Sequence, residues 1–167
     1  LEFRSVLFRS GGIRTPFIAR WPGVIPAATT NDTTVLAAVD LFPTLCALAE
    51  IAPPTDALFD GENLAAAFRG AKSTRTKPLF GEYGRDTGAA ASSGIRGFLM
   101  PDEPQSKSPN IAMREGDWKL LVNADGTSGE LYSLRDDPNE SRDLAVEKPD
   151  IAKRLAEAAR AWRRSMP

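Results

Sequence analysis

The chain of 167 residues contains no histidine and a single cysteine, Cys46. Without histidine it can form neither a His-based zinc site nor a Ser-His or Cys-His catalytic pair within itself, and one cysteine excludes an internal disulfide. The net charge is −1, which gives no electrostatic reason to expect nucleic acid as a partner. No apolar run approaches the roughly 20 residues that a membrane-spanning helix needs. The sequence therefore predicts neither a nucleic-acid nor a membrane partner.

The hydrophobic share of 42% suffices for a folded core.

Residues 1–10 stand apart from the rest of the chain. They nearly repeat one five-residue unit that ends in Phe-Arg-Ser, and they begin with Leu1 instead of methionine. This pattern is typical of a translated adapter or cloning scar, although a native strand is the alternative. We therefore expect a non-native leader before Gly11.

Residues 11–23 open with two glycines and continue into the short apolar run Phe17, Ile18 and Ala19. A Pro-Gly pair at Pro22 then ends the run. A short apolar run bounded by turn residues predicts a buried strand of an α/β sheet.

The next segment predicts a short strand or an extended entry over residues 33–39, followed by a helix that Asp40 caps through its carboxylate. Spacings of four, three and one give this helix a core-facing stripe. The stripe consists of Leu41, Leu45, Leu48 and Ala49. A second short helix begins near Asp60 and ends at Gly70, and the polar residues 71–77 predict a subdomain boundary.

The second half predicts a strand from Pro78, a long loop over residues 84–110 with one strand at 95–100, and then an antiparallel meander. In the strand over 118–122, Trp118, Leu120 and Val122 should point one way and Lys119 and Leu121 the other. A helix over residues 149–164 has apolar residues at steps of four, three and four, so it should pack on the meander.

Several ordered segments together resemble the C-terminal part of a type I sulfatase, an arylsulfatase-family protein of alkaline-phosphatase-like fold. The match extends from Gly11 to the end of the chain. Its segments are residues 11–23 (GGIRTPFIARWPG), 39–45 (VDLFPTL), 60–64 (DGENL), 78–80 (PLF), 114–121 (REGDWKLL) and 130–140 (ELYSLRDDPNE).

The resemblance implies hydrolysis of sulfate esters, often on sulfated sugars. It also implies a formylglycine nucleophile made from a Cys/Ser-x-Pro-x-Arg motif and a calcium ion held by Asp and Asn oxygens. Cys46 is followed by Ala-Leu-Ala-Glu, so it lacks that motif and should be a packing residue. We therefore expect the nucleophile and the calcium ligands to come from a missing N-terminal part, none of the cofactors to bind this fragment, and the fragment to be inactive alone.

The candidate substrate-binding residues are Glu82, Tyr83, Arg85 and Arg14. The first three follow a strand end and open the long loop, and in the family such loops help to frame the substrate pocket. Arg85 has the charge to pair with an anionic sugar group. Arg14 comes shortly after the glycine pair. Its position is equally consistent with an approach to the active centre and with a structural ion pair.

Other charged residues have structural explanations that outweigh functional ones. Asp40 fits a helix cap better than a metal ligand. Asp136 and Asp137 form a carboxylate pair of the kind used in acid–base catalysis, but they stand in a Pro-Asn turn and fit a solvated turn better.

The predicted fold class is α/β, alkaline-phosphatase-like, followed by a small α+β subdomain with an antiparallel sheet and a packed C-terminal helix. The predicted domains are a leader over 1–10, the end of the catalytic domain over 11–76 and the C-terminal subdomain over 77–167. The resemblance implies a sulfated carbohydrate or aryl sulfate substrate and a periplasmic or secreted protein. Two alternatives stay open: a phosphoesterase or phosphonate hydrolase of the same fold, and a non-catalytic binding module.

Overall fold

The computed structural model of the chain describes residues 14–82 and 109–166. These residues form two compact units. The helical unit is Pro16–Leu79, and the sheet unit runs from Phe80 onward and also includes Arg14 and Thr15. The assignment of the units to the predicted domains 11–76 and 77–167 stays a prediction.

Among the described residues the strands form one sheet in the order β1-β2-β3-β4. The strand bounds are β1 Leu79–Glu82, β2 Ile111–Glu115, β3 Trp118–Val122 and β4 Glu130–Ser133. Strands β2 and β3 pair antiparallel with Glu115 opposite Trp118, and β3 and β4 pair antiparallel with Leu120 opposite Leu131. The turn between β2 and β3 contains Gly116 at a φ of 57°, which glycine adopts without steric cost. The predicted meander is confirmed.

One face of this sheet packs against helix α3, Pro149–Ser165. Leu155 and Ala159 of the helix are completely buried against the sheet. The strand side chains on this face belong to alternate positions, as the pleat requires. They are Ile111, Met113, Leu120, Val122 and Leu131. The predicted C-terminal helix and its packing on the meander are therefore confirmed.

The opposite face of the sheet is also buried, and it contains an ion pair. Leu121 and Tyr132 form a small apolar cluster there. Beside them Lys119 Nζ donates a hydrogen bond of 2.7 Å to Glu140, and both side chains are at most 4% exposed. The predicted alternation of β3 is confirmed, because Lys119 and Leu121 lie on the face opposite Leu120 and Val122.

The helical unit contains a 3-10 turn, Ala38–Asp40, followed directly by helix α1, Leu41–Leu48, and later by helix α2, Ala65–Phe68. Residues 33–39 do not form the predicted strand, whereas Ala37, directly before the 3-10 turn, has the extended backbone of the alternative. The Asn31 side chain accepts hydrogen bonds from the backbone N–H groups of Thr33 and Thr34, so a local turn occupies the start of this segment.

The predicted core-facing stripe of α1 is also wrong in part. Leu48 is buried, but Leu45 is 52% exposed and Ala49 is exposed. The buried side of the helix instead includes Thr44, whose hydroxyl accepts a hydrogen bond of 3.0 Å from the Leu64 N–H. A polar residue occupies the core position, so the hydrophobic pattern alone placed the face incorrectly.

The strand predicted within residues 11–23 is wrong for its described part. Residues 14–20 have no regular secondary structure, and Phe17 and Ile18 are 55% and 91% exposed. A buried strand needs a partner for its ladder of hydrogen bonds, and the described residues form no strand before β1. The turn at its end is confirmed, with Gly23 at a φ of 82°.

Two further predictions concern a strand over residues 95–100 and the absence of a membrane-spanning helix. The predicted strand over 95–100 lies outside the described residues. Within the described ranges 14–82 and 109–166, no helix combines the length and the apolar character required to cross a bilayer.

Candidate functional site

The end of strand β1 is fixed to the last turns of helix α3 by two contacts. The rings of Phe80 and Trp162 stack in parallel, with centroids 5.1 Å apart. Two residues along the strand, the Glu82 carboxylate accepts a hydrogen bond from Arg163 Nε, and the two side chains are 10% and 29% exposed. Arg163 lies near the helix C-terminus, where a positive charge is also favoured by the helix dipole. The end of strand β1 is therefore held in place by helix α3.

The predicted substrate-binding residues have different outcomes in the structure. Glu82 is the last residue of β1 and is held by Arg163, a partner that the sequence analysis did not identify. Tyr83 and Arg85 lie outside the described residues. Arg14 is exposed and has no regular secondary structure. A role in substrate binding stays a prediction for all four.

The strongest electrostatic feature of the helical unit is the buried carboxylate of Asp40. It accepts hydrogen bonds from the Ala37 N–H at 2.8 Å and the Glu62 N–H at 2.9 Å, and it forms an ion pair with Arg75. Asp40 is completely buried, and the Arg75 side chain is 6% exposed. Burial raises the pKa of Asp40, but the bonds from Arg75 and the two N–H groups outweigh it and hold the pKa below its usual 3.8.

These contacts correct the predicted role of Asp40 as the cap of helix α1. Its side chain makes no capping bond to that helix. It reaches back to the N–H of Ala37 and across the chain to Glu62, so it joins segments that are distant in sequence. Asp40 is a buried acceptor that organises the helical unit.

Glu62 provides a second acceptor in the same unit. Its carboxylate accepts hydrogen bonds from the backbone N–H groups of Thr76 and Lys77 and from the Thr76 hydroxyl. Burial raises the pKa of Glu62, but the bonds from Thr76 and Lys77 outweigh it and lower the pKa from 4.5. In return, Lys77 Nζ donates to the carbonyl oxygens of Phe59 and Gly61. The polar segment at residues 71–77 is therefore held against the motif at residues 60–64.

Neither Arg75 nor Glu62 was predicted from the sequence as a partner in this network. The signal for Glu62 was present in the segment Asp60-Gly61-Glu62, because Gly61 allows the close backbone approach that brings the Glu62 N–H to Asp40. Arg75 gave no such signal, since it stands in a run of polar residues without periodicity.

The two lowered pKa values predict that the helical unit is destabilised by acid. A carboxyl group whose pKa is lower in the folded than in the unfolded protein contributes stability that is present above the unfolded pKa and is lost as the pH falls through the folded pKa. We expect the urea midpoint to fall as the pH drops from about 5 to about 2, and we expect Glu62→Gln to reduce this fall.

The measurement is urea unfolding at a series of pH values, followed by circular dichroism. The matched control is Asp56→Asn, which changes an exposed aspartate of the same unit and should leave the profile unchanged. An acid profile of Glu62→Gln identical to that of the unsubstituted chain would contradict the assignment.

Structural roles are predicted from the sequence for Asp136, Asp137 and Cys46, and the structure describes the surroundings of all three. Asp136 accepts a hydrogen bond of 2.7 Å from the Ser133 hydroxyl. The Arg142 and Ser141 N–H groups donate to Asp137 and lower its pKa from 3.8, which fits the predicted turn. Cys46 is half-buried within helix α1. Among the described residues, no three His, Cys, Asp or Glu side chains are grouped so that they could hold a metal ion, and the source of the calcium ligands that the resemblance implies stays a prediction.

Comparison with solved structures defines the class of the fold. The chain aligns with a protein whose structure is known in complex with its substrate D-glucosamine-2-N,6-O-disulfate, at a TM-score of 0.56 and 21% identity, over 83% of this chain and 26% of the other. Together with the antiparallel sheet and its packed helix, this alignment confirms the predicted fold class, the alkaline-phosphatase-like fold of the sulfatases.

The sequence comparison is more specific. No protein-family model matches the chain. It is 29% identical to a sulfatase of Formosa agariphila over 97% of this chain and 29% of the relative. It is also 42% identical to the N-acetylgalactosamine-6-sulfatase of the dog, over 50% of this chain and 16% of the relative. The chain is thus similar to sulfatases over most of its length, and it spans less than a third of the length of the curated relatives that it matches.

Proposed function

We propose that the chain is the C-terminal part of a sulfuric ester hydrolase of the arylsulfatase type that acts on sulfated carbohydrates. The observation that carries this proposal is the similarity to a sulfatase over 97% of the chain. The dog relative, which is named for a 6-sulfated amino sugar, supports the class of substrate. An aryl sulfate is the corresponding synthetic substrate.

Within such an enzyme, the chain would contribute the start of a loop that frames the substrate. The fixed end of β1 supports this role, because Glu82 and Phe80 are held by helix α3 and Tyr83 and Arg85 come shortly after Glu82 in the sequence. A loop that leaves a rigid element presents its side chains more precisely than one anchored at a mobile end. Tyr83 and Arg85 are the proposed contacts to the sugar and its anionic groups, and Arg14 is a further candidate.

The calcium ion and the formylglycine belong to the proposal for the complete enzyme only. We propose that the calcium ligands and the nucleophile are contributed by residues other than the described ones, among which no cluster of three His, Cys, Asp or Glu side chains is present. The 167-residue chain alone should then be inactive. We further propose a periplasmic or secreted location, as for the family that the sequence resembles.

The test is an assay of the complete product of the open reading frame that encodes this chain, produced together with a formylglycine-generating enzyme. We expect release of sulfate from 4-nitrophenyl sulfate and from N-acetylgalactosamine 6-sulfate, and no release by the 167-residue chain alone. Preferred hydrolysis of a 4-nitrophenyl phosphonate or phosphate would instead support the phosphoesterase alternative. Binding of the sulfated sugar without any hydrolysis would support a binding module.

The proposed substrate contact predicts a specific kinetic effect. Arg85→Ala in the complete enzyme should raise KM for the sulfated sugar about tenfold and change kcat less, because a charge-assisted hydrogen bond contributes roughly 1.5 kcal/mol. The readout is the KM and kcat of sulfate release. Arg164→Ala, which removes an exposed arginine of α3, is the control and should change neither constant. Unchanged kinetics of Arg85→Ala would remove this residue from the site.

A further inference from the structure

The outer face of helix α1 is apolar and exposed. Val39, Phe42 and Leu45 are 45%, 51% and 52% exposed, and Ala49 is exposed as well. Their spacing of three, three and four places them on one side of the helix and its preceding turn. We call this stripe the outer α1 face.

The composition of the helix shows that this exposure is not the usual amphipathic pattern. Helix α1, Leu41–Leu48, contains no charged residue. Its inner side already contacts the chain through Thr44 and Leu48, which are buried. A helix that is apolar on all sides is normally buried on all sides. The outer α1 face therefore has the character of a surface that a further layer of protein covers.

Among the described residues, exposed large hydrophobic side chains are concentrated in the helical unit. Seven exposed large hydrophobic side chains occupy that unit besides Phe42, and within the described sheet unit only Val146 is comparable. The seven are Phe17, Ile18, Trp21, Val39, Leu45, Ile51 and Leu58. The described sheet unit thus exposes one large hydrophobic side chain, whereas the helical unit exposes eight.

From these observations we propose that the outer α1 face packs against the α/β portion of a sulfatase polypeptide, with Phe42 and Leu45 at the centre of the contact. The proposal rests on the proposed function. The occupant is inferred from the relatives, because the sulfatase of Formosa agariphila carries more than two thirds of its length beyond the region matched here. Apolar helix faces in α/β proteins pack on a sheet, so a sheet face is the chemistry that would cover this stripe.

The test compares one substitution in two settings. Leu45→Asp in the 167-residue chain should leave its thermal midpoint unchanged, since half of this side chain is exposed there. The same substitution in the complete product of the open reading frame should lower the soluble folded yield several-fold, because it would bury an unpaired charge. Val146→Asp, at an exposed apolar residue of the sheet unit, is the matched control and should change neither protein.

Each outcome decides the proposal. An equal yield of Leu45→Asp and the unsubstituted complete protein would overturn it, as would an open reading frame that encodes no further polypeptide. Light scattering tests whether a second copy of the chain covers the outer α1 face. A discrete dimer of the 167-residue chain that Leu45→Asp dissociates would also overturn the proposal. Sulfatase activity is measured separately, so a complete protein that is inactive on sulfate esters but loses yield with Leu45→Asp would contradict the proposed function and support the interface.

Discussion

Replacing Asp40 with alanine is expected to lower the free energy of unfolding by about 4 kcal/mol. The substitution leaves the Arg75 guanidinium buried without its counter-charge and leaves the N–H groups of Ala37 and Glu62 without an acceptor. One nitrogen of that guanidinium, Nη2, is already buried without a partner among the described residues, so the arginine has little capacity to find compensation. Urea unfolding at pH 7 measures the loss.

Two further variants make this result specific. Asp32→Ala removes an exposed aspartate of the same unit and should change the free energy of unfolding by no more than about 0.5 kcal/mol. The double variant Asp40→Asn with Arg75→Gln removes both charges and should be less destabilised than Asp40→Ala, because no unpaired charge remains. If Asp40→Ala were as stable as Asp32→Ala, the carboxylate would not organise this unit.

Substituting Gly61 with alanine is expected to cost about 3 kcal/mol. A Cβ atom at this position would lie 1.9 Å from the carbonyl oxygen of Val39 and 2.8 Å from the backbone nitrogen of Asp40. Both neighbours are backbone atoms, so the two segments must move apart. That movement would weaken the hydrogen bond between the Glu62 N–H and Asp40, which is formed one residue later.

Hydrogen exchange at the Glu62 amide measures this effect directly, together with the free energy of unfolding. In Gly61→Ala the amide should exchange faster than in the unsubstituted chain. The control is Gly129→Ala, because a Cβ there meets nothing within 4 Å, and its exchange at Glu62 should be unchanged. Unchanged protection of the Glu62 amide in Gly61→Ala would show that the close approach is not required.

The sheet unit could be predicted well because its pattern is local. Turn residues bound each strand, alternation assigns the two faces of β3, and the apolar steps of α3 identify the side that packs on the sheet. Each of these signals comes from neighbouring residues and from geometry that repeats along the chain. The ordered motifs likewise indicated the resemblance to sulfatases, which the similarity over 97% of the chain supports.

The helical unit could be predicted less well because its structure depends on contacts between distant residues. Asp40 was expected to cap a helix, whereas its carboxylate is held by Glu62 and Arg75, 22 and 35 residues along the chain. Leu45 was expected in the core, whereas the core position belongs to Thr44, a polar residue that is satisfied by Leu64. Neither partner is visible in a hydrophobic pattern.

The sequence by itself determined the strands and turns of the meander, the terminal helix with its buried side, and the family that the chain resembles. Only the tertiary structure decided which carboxylates are buried and paired, which side of α1 is covered, and where β1 is held at Glu82. The physical reason is that periodicity records which side chains avoid water, while the pairing of buried charges depends on which distant segments come within hydrogen-bonding distance.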